Sequence, residues 1–208
     1  LGDMGNYSFF QIWKILKLGA PTTVEAMASQ YWAIIDHLWK KQVNTVSFPQ
    51  ASTVHFEFPA REGRPPVSVH WYDGGMRPPK PAELEEDGQD MPEEGMLFVG
   101  DKGKLLGGFM GDNPRLIPAR KMQSFVKPPE TLPRPIGELD QWIRACRGGQ
   151  PSDASFENVY PFAETIALGD IALRVDKKLH WDTANMQFTN SPEANKLLRR
   201  EYRKGWEL

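Results

Sequence analysis

From Ser52 to Phe58, apolar and polar residues alternate. Val54, Phe56 and Phe58 face one way, and Thr53, His55 and Glu57 the other. Val67, Val69 and Trp71 repeat the pattern against Ser68, His70 and Tyr72. A period of two marks strands of a sheet with one buried and one more polar face. Such an open face is a natural place to hold a ligand. The period is different over Asn6 to Leu18. There Phe9, Ile12, Trp13 and Leu16 recur at helical spacing, and Phe10 widens the stripe. Asn6 or Ser8 can cap this helix, and Gly19-Ala20-Pro21 supplies a stop. Thr22 to Ala28 then reads as a strand.

Gly74 to Glu94, with Pro78, Pro79, Pro81 and Pro92, reads as an extended, irregular segment. Met96–Val99 and Lys104–Leu106 flank Gly100-Asp101-Lys102-Gly103 as a hairpin. The last third is helical. Ile136, Leu139, Trp142, Ile143 and Cys146 form one stripe, ended by Gly148-Gly149 and Pro151. Phe156 to Val175 is a longer apolar helix with Pro161 in its first turn. Leu179 to Trp181 adds a short strand, and Ser191-Pro192-Glu193 starts another helix, with Ser as cap. Consecutive strands with separate helices predict an α+β fold built on a large, mainly antiparallel sheet. No repeat or composition shift divides the 208 residues, so 1–208 reads as one domain.

Composition narrows the function. Twenty-five basic residues against 27 acidic give a net charge of −2, which removes the general basic field of a nucleic-acid binder. The basic C-terminal segment (Lys196, Arg199, Arg200, Arg203, Lys204) reads as a solvated helix face or a subunit-contacting tail. No apolar run reaches the ~18 residues of a membrane span, and Asp170 interrupts the most apolar stretch, Ile166 to Val175. The single cysteine, Cys146, excludes an intramolecular disulfide and leaves the compartment open between cytoplasm and periplasm. Its place on an apolar stripe predicts a buried structural thiol. The chain opens Leu1-Gly2-Asp3 with no initiator Met, which reads as the middle of a protein.

Most catalytic signatures are missing. There is no G-x-G-x-x-G after a strand, no phosphate-binding G-x-x-x-x-G-K-[ST], no H-E-x-x-H and no G-x-S-x-G. Gly107-Gly108-Phe109-Met110-Gly111 reads as a loop, and the acidic cluster Glu83, Glu85, Glu86, Asp87 and Asp90 as a solvated one. No metal site and no cofactor site is expected in these residues. His55 and His70 share a polar sheet face, either for acid/base or metal work or as ordinary hydrogen-bonded sheet residues. Trp71-Tyr72-Asp73-Gly74-Gly75 ends a strand with aromatics, a carboxylate and two glycines, and Arg77 follows. Aromatic faces pack on the C–H faces of sugars and Asp accepts from paired hydroxyls; an aromatic core residue before an ordinary turn reads equally well.

Several segments together resemble the C-terminal domain of the Gfo/Idh/MocA oxidoreductases, in a sugar-related bacterial branch. They are Asp3-Met4-Gly5, Leu18-Gly19-Ala20-Pro21-Thr22-Thr23-Val24-Glu25-Ala26, Trp71-Tyr72-Asp73-Gly74-Gly75 and Gly100-Asp101-Lys102-Gly103. Ala167 to Arg174, Leu179-His180-Trp181-Asp182, and Thr189 to Trp206 complete the set. The resemblance implies an open sheet with helices on one face, like the C-terminal domain of glyceraldehyde-3-phosphate dehydrogenase. It also implies a separate Rossmann domain holding NAD or NADP, a sugar-like substrate, and a homo-oligomer formed through the sheet. The family's helix entrance, Asp-x-Gly-x-His-x-x-Asp, is only half kept: Asp3 and Gly5 match, while Tyr7 and Phe10 replace the His and the second Asp. Tyr7 is then the tentative proton donor, and Asp3, Trp71, Asp73 and Arg77 the substrate contacts. An NAD-retaining sugar lyase or hydrolase, and a non-catalytic sugar-binding or assembly module, are the alternatives.

Overall fold

The computed structural model describes residues 1–42, 44, 46–132, 134 and 136–207. In chain order the first half holds α1 (Gly5–Leu16), β1 (Thr23–Ala28), β2 (Tyr31–Ile35), β3 (Leu38–Gln42), β4 (Ser52–Phe58) and β5 (Val67–Tyr72). Then come α2 (Ala82–Glu86), β6 (Met96–Gly100), β7 (Gly103–Gly107), β8 (Arg115–Ile117), α3 (Arg120–Gln123) and α4 (Glu138–Cys146). The chain closes with α5 (Phe156–Val175), β9 (Leu179–Asp182), β10 (Gln187–Phe188) and α6 (Pro192–Asn195). Residues divide into two compact units, Leu1–Pro79 with Thr165–Leu208, and Lys80–Glu164.

The first unit carries a five-stranded sheet in the order β10-β9-β1-β4-β5, antiparallel throughout. The α+β reading with a mainly antiparallel sheet holds. β4 buries every second residue, as its alternation predicts. Val54, Phe56 and Phe58 are buried, and the Phe9 ring of α1 lies 5.4 Å from Phe56 and 6.4 Å from Phe58. α5 supplies Ile166, Leu168, Ile171 and Ala172 to the buried set. At Gly169 a Cβ would fall 2.8 Å from Phe56 Cζ, so the helix approaches the sheet where it has no side chain. Helices cover one face of the sheet, and the other face is open.

Local details differ from the sequence reading for identifiable reasons. α1 is closed by Lys17 in the left-handed region (φ 52°) rather than by Gly19. Arg61 and Arg64 donate to the Leu18 and Leu16 carbonyls at 3.0 Å each and satisfy the helix end from outside. A hairpin, β2–β3, occupies Tyr31–Gln42, where no strand was expected. Its two turn residues, Asp36 and His37, both have positive φ, so the turn lacks the usual glycine. The basic C-terminal segment is not a helix face, because α6 ends at Asn195. Arg200 and Arg203 instead lie over the Tyr202 and Trp206 rings.

The second unit contains the β6-β7-β8 sheet, also antiparallel. The expected hairpin forms, with Gly100 opposite Gly103. The acidic segment is not a loop: residues 82–86 are a short helix whose Leu84 packs with Leu106 and Ile117. Its carboxylates have cationic partners, Glu83 with Lys104 and Glu86 with Arg120, each at 2.6 Å. Cys146 is exposed, as are Leu139 and Trp142 on the same stripe of α4, so the buried-thiol expectation fails. Pro161 stands beyond the first turn of α5, inside the helix.

Candidate functional site

Two polar constellations form in the first unit, one at each surface of the five-stranded sheet. The first is built where β4 begins and β5 ends. Asp73 continues the strand pairing, its N–H donating to the Ser52 carbonyl at 3.0 Å. Its carboxylate is heavily used. Oδ1 accepts from the Ser52 N–H (2.6 Å), and Oδ2 from the Trp71 indole N–H (2.9 Å). The Ser52 hydroxyl lies 2.9 Å from both oxygens. Trp71 lies on the apolar side of the sheet, opposite Val54, and is half-buried. Asp73 therefore fixes the orientation of the indole. Gly74 follows with φ +64°, and a Cβ there would lie 2.2 Å from the Gln50 carbonyl oxygen, so the strand can turn away only through glycine.

The segment leading into α1 comes to the same place. The Leu1 backbone nitrogen is 3.5 Å from Asp73 Oδ2. One residue on, Gly2 abuts Asp170, whose Oδ2 would be 2.8 Å from a Cβ at that position. Asp170 Oδ1 is closed to water and has no hydrogen-bond partner. Burial pushes its carboxyl above the usual carboxylate range, opposed by Arg174 one turn along α5. A half-buried carboxyl that holds its proton more tightly than usual is a candidate for proton transfer. It was missed as a site residue, although a lone Asp inside the apolar run Ile166–Val175 was its signal.

The structure places the sequence-derived residues unevenly. Trp71 and Asp73 touch, and the Leu1–Asp3 segment joins them through Leu1. Asp3 is exposed just before α1, where Asn6 donates to the Gly2 and Asp3 carbonyls at 2.7 and 3.3 Å. Tyr7, in the first turn of α1, is 52% exposed. Arg77 is exposed in the irregular segment after Gly75. Phe10 takes Lys14 against its ring at 5.7 Å and brings no proton-transfer group to the site.

The second constellation occupies the open face. His55 stands directly opposite His70, and their rings stack with centroids 4.1 Å apart. Tyr72 lies two residues further along β5, on the same face, 6.4 Å from His70. His55 Nε2 is 2.7 Å from Glu57 Oε1 without the alignment of a hydrogen bond, and the Ser68 hydroxyl donates to Glu57 Oε2 at 2.7 Å. Glu25 on β1 faces His55 from the other side. Burial and the neighbouring His55 hold His70 below the ordinary histidine range, against the pull of Glu57. Among the described residues, no group of three or more His, Cys, Asp or Glu is placed to hold a metal ion.

The glycine-rich segment 107–111 does not fit a dinucleotide. It leads from β7 into a tight turn, with the Gly108 N–H donating to the Asp112 carbonyl at 2.8 Å and no helix following. The Asp112 carboxylate packs where a Gly108 side chain would stand, which sets a negative charge where a phosphate needs donors. No helix among the described residues is long and apolar enough to cross a membrane.

Comparison with known proteins agrees with this architecture. Residues 52–208 match a family described as the oxidoreductase family, C-terminal alpha/beta domain. Neither the curated proteins nor the solved structures compared with the chain give a match. The matched region includes β4, β5, the Trp71–Asp73 turn, Asp170 and the closing strands, so most of the open sheet and both halves of the carboxylate cluster lie within it. By that match, the chain belongs to the Gfo/Idh/MocA oxidoreductase family, as its C-terminal domain.

Proposed function

We propose that this chain is the substrate-binding domain of an oxidoreductase that acts on a sugar or sugar derivative together with NAD or NADP. In this reading the dinucleotide is held by a separate nucleotide-binding domain, and the glycine-rich segment here, closed by Asp112, does not take part. The observation that carries the reading is the convergence of Asp73 and Asp170 on the Leu1–Asp3 segment beside the half-buried Trp71. An indole held by a carboxylate offers a flat apolar face of fixed orientation, which suits the C–H face of a pyranose. Asp3, Tyr7 and Arg77 then supply the polar contacts. Asp73, whose oxygens already accept from Ser52 and Trp71, acts chiefly by aiming the ring.

Proton transfer is assigned to Tyr7, with Asp170 as the second group. A phenol is a weak base, and a carboxyl whose pKa is raised by burial is a better proton acceptor. The open sheet face, with its histidine stack, is assigned to contact between copies of the protein.

The test uses the full-length protein and a panel of sugars and sugar acids, read by nicotinamide absorbance and by calorimetry. The reading expects binding of at least one panel member, with Trp71→Ala weakening it and Tyr7→Phe lowering turnover by about 100-fold or more. Turnover unchanged in both variants would sink the site assignment. Asp170→Asn adds a check through stability. The folded pKa is raised, so the carboxyl favours folding below its unfolded value and loses that contribution as pH rises through the folded one. The Asn variant should therefore melt higher than the parent at neutral pH and no higher at pH 3, while turnover falls.

A further inference from the structure

Both strands of the β2–β3 hairpin are largely exposed. Tyr31, Trp32, Ile34, Leu38 and Trp39 are 72, 49, 63, 64 and 69% exposed. Among the described residues, neither long edge of the hairpin pairs with another strand. At ~150–250 Å² per aromatic side chain, Tyr31 and Trp32 of β2 alone leave roughly 180–300 Å² of apolar surface in water. That is about a quarter to a third of the ~800 Å² each partner contributes to a standard interface.

The two edges differ in charge. β3 (Leu38–Gln42) carries Lys40 and Lys41, the usual protection of a strand edge against pairing. β2 reads Tyr31-Trp32-Ala33-Ile34-Ile35 and has no charged residue. A bare apolar edge of this kind either has a partner or aggregates. The segment is also matched to itself. Laid antiparallel on a second copy about Ala33, Trp32 falls opposite Ile34 of the partner subunit, and Tyr31 opposite Ile35 of the partner subunit. Aromatic–β-branched pairs of this type stabilise a sheet, and no like charges meet. Pairing through β3 would instead bring lysines together.

We propose that the outer edge of β2 pairs with the β2 edge of a second copy of this chain, with Ala33 on the two-fold axis, giving a four-stranded ribbon. The contact is isologous, as closed dimers require. It stands apart from the substrate reading, because none of its residues belongs to the site around Trp71.

The experiment is the mass of the full chain in solution by light scattering at micromolar concentration. The parent should be a dimer, or a larger even-numbered assembly where the sheet face joins copies as well. Ile34→Lys, which puts a charge into each half of the joined edge, should weaken dimerisation by ~100-fold or more with unchanged circular dichroism. Lys40→Glu on the other edge should leave the mass unchanged. A second measurement does not depend on Ile34→Lys folding well. In a Cys146→Ser background, Ala33→Cys should form an interchain disulfide on mild oxidation far faster than Lys40→Cys. A monomeric parent, a dimer indifferent to Ile34→Lys, or equal crosslinking at the two positions overturns the proposal.

Discussion

The two faces of the five-stranded sheet are made by the same strands and obey different rules. On the covered face, Val24, Val54, Phe56, Phe58, Leu179 and Trp181 are buried, and their value lies in volume and shape. One residue along, the open face presents Glu25, Met27, Thr53, His55, Glu57, Ser68, His70 and Tyr72, and Met27 is 68% exposed. The first face holds the fold together and constrains residue size. The second constrains charge and hydrogen bonding, and is where partners can be recognised without cost to the core.

The sharpest way to break the contrast is to remove the ring at the centre of the covered face. Phe56 lies against Phe9 and beneath Gly169, so Phe56→Ala leaves a cavity walled by two helices that cannot both collapse into it. A loss of ~3–5 kcal/mol is expected in urea unfolding. A loss below ~1 kcal/mol would mean that the two faces do not differ as described. Asp73→Asn comes next. The amide keeps the shape, but its nitrogen must face donors on one side, so either Ser52 or Trp71 loses its acceptor. The expected cost is ~1–3 kcal/mol, accompanied by a change in Trp71 fluorescence.

This contrast also explains what was legible in the sequence. β4 and β5 were readable because one buried face imposes a strict period of two on seven and six residues. The β2–β3 hairpin was not, since with both faces exposed nothing imposes alternation on Tyr31–Ile35, and Asp36-His37 carries no glycine signal. Cys146 misled for the converse reason. Its helical period is real, but α4 leaves Leu139 and Trp142 in the open, and periodicity does not say what covers a face. Of the candidate site, Trp71 and Asp73 could be named from residue type and strand end. Ser52 and Asp170 could not be placed beside them, because the contacts reach across 21 residues for Ser52 and, through Gly2, from the start of the chain for Asp170.

The open face should titrate where the covered face cannot. His70 is held below the ordinary histidine range by burial and by His55 stacked on it, with Glu57 opposing and Glu25 and Tyr72 on the flanks. A depressed folded pKa means the unfolded chain binds the proton more readily. Its contribution to stability is complete above ~6.5 and is lost as pH falls through the folded value. The melting temperature of the parent should drop between pH 7 and 5 by more than that of His70→Gln, a difference of a few degrees at most for a domain of this size. Parallel curves for the two proteins would show that the stack carries no pH-dependent energy.

The smallest effect is expected at Met27, and it is the most discriminating. On the open face of a free subunit, Met27→Lys exchanges one exposed side chain for another beside Thr53, and folding stability should move by no more than ~0.5 kcal/mol. If copies of the chain meet through this face, the same change places an ammonium in the contact and lowers the solution mass while the subunit stays folded. Ile34→Lys lowers the mass through a different element, the outer edge of β2. A mass that responds to Met27→Lys alone identifies the sheet face as the interface, and one that responds to Ile34→Lys alone identifies the arm. A destabilisation above ~1 kcal/mol at Met27, measured on the isolated subunit, would show that the face is covered and that its polar character belongs to the interior after all.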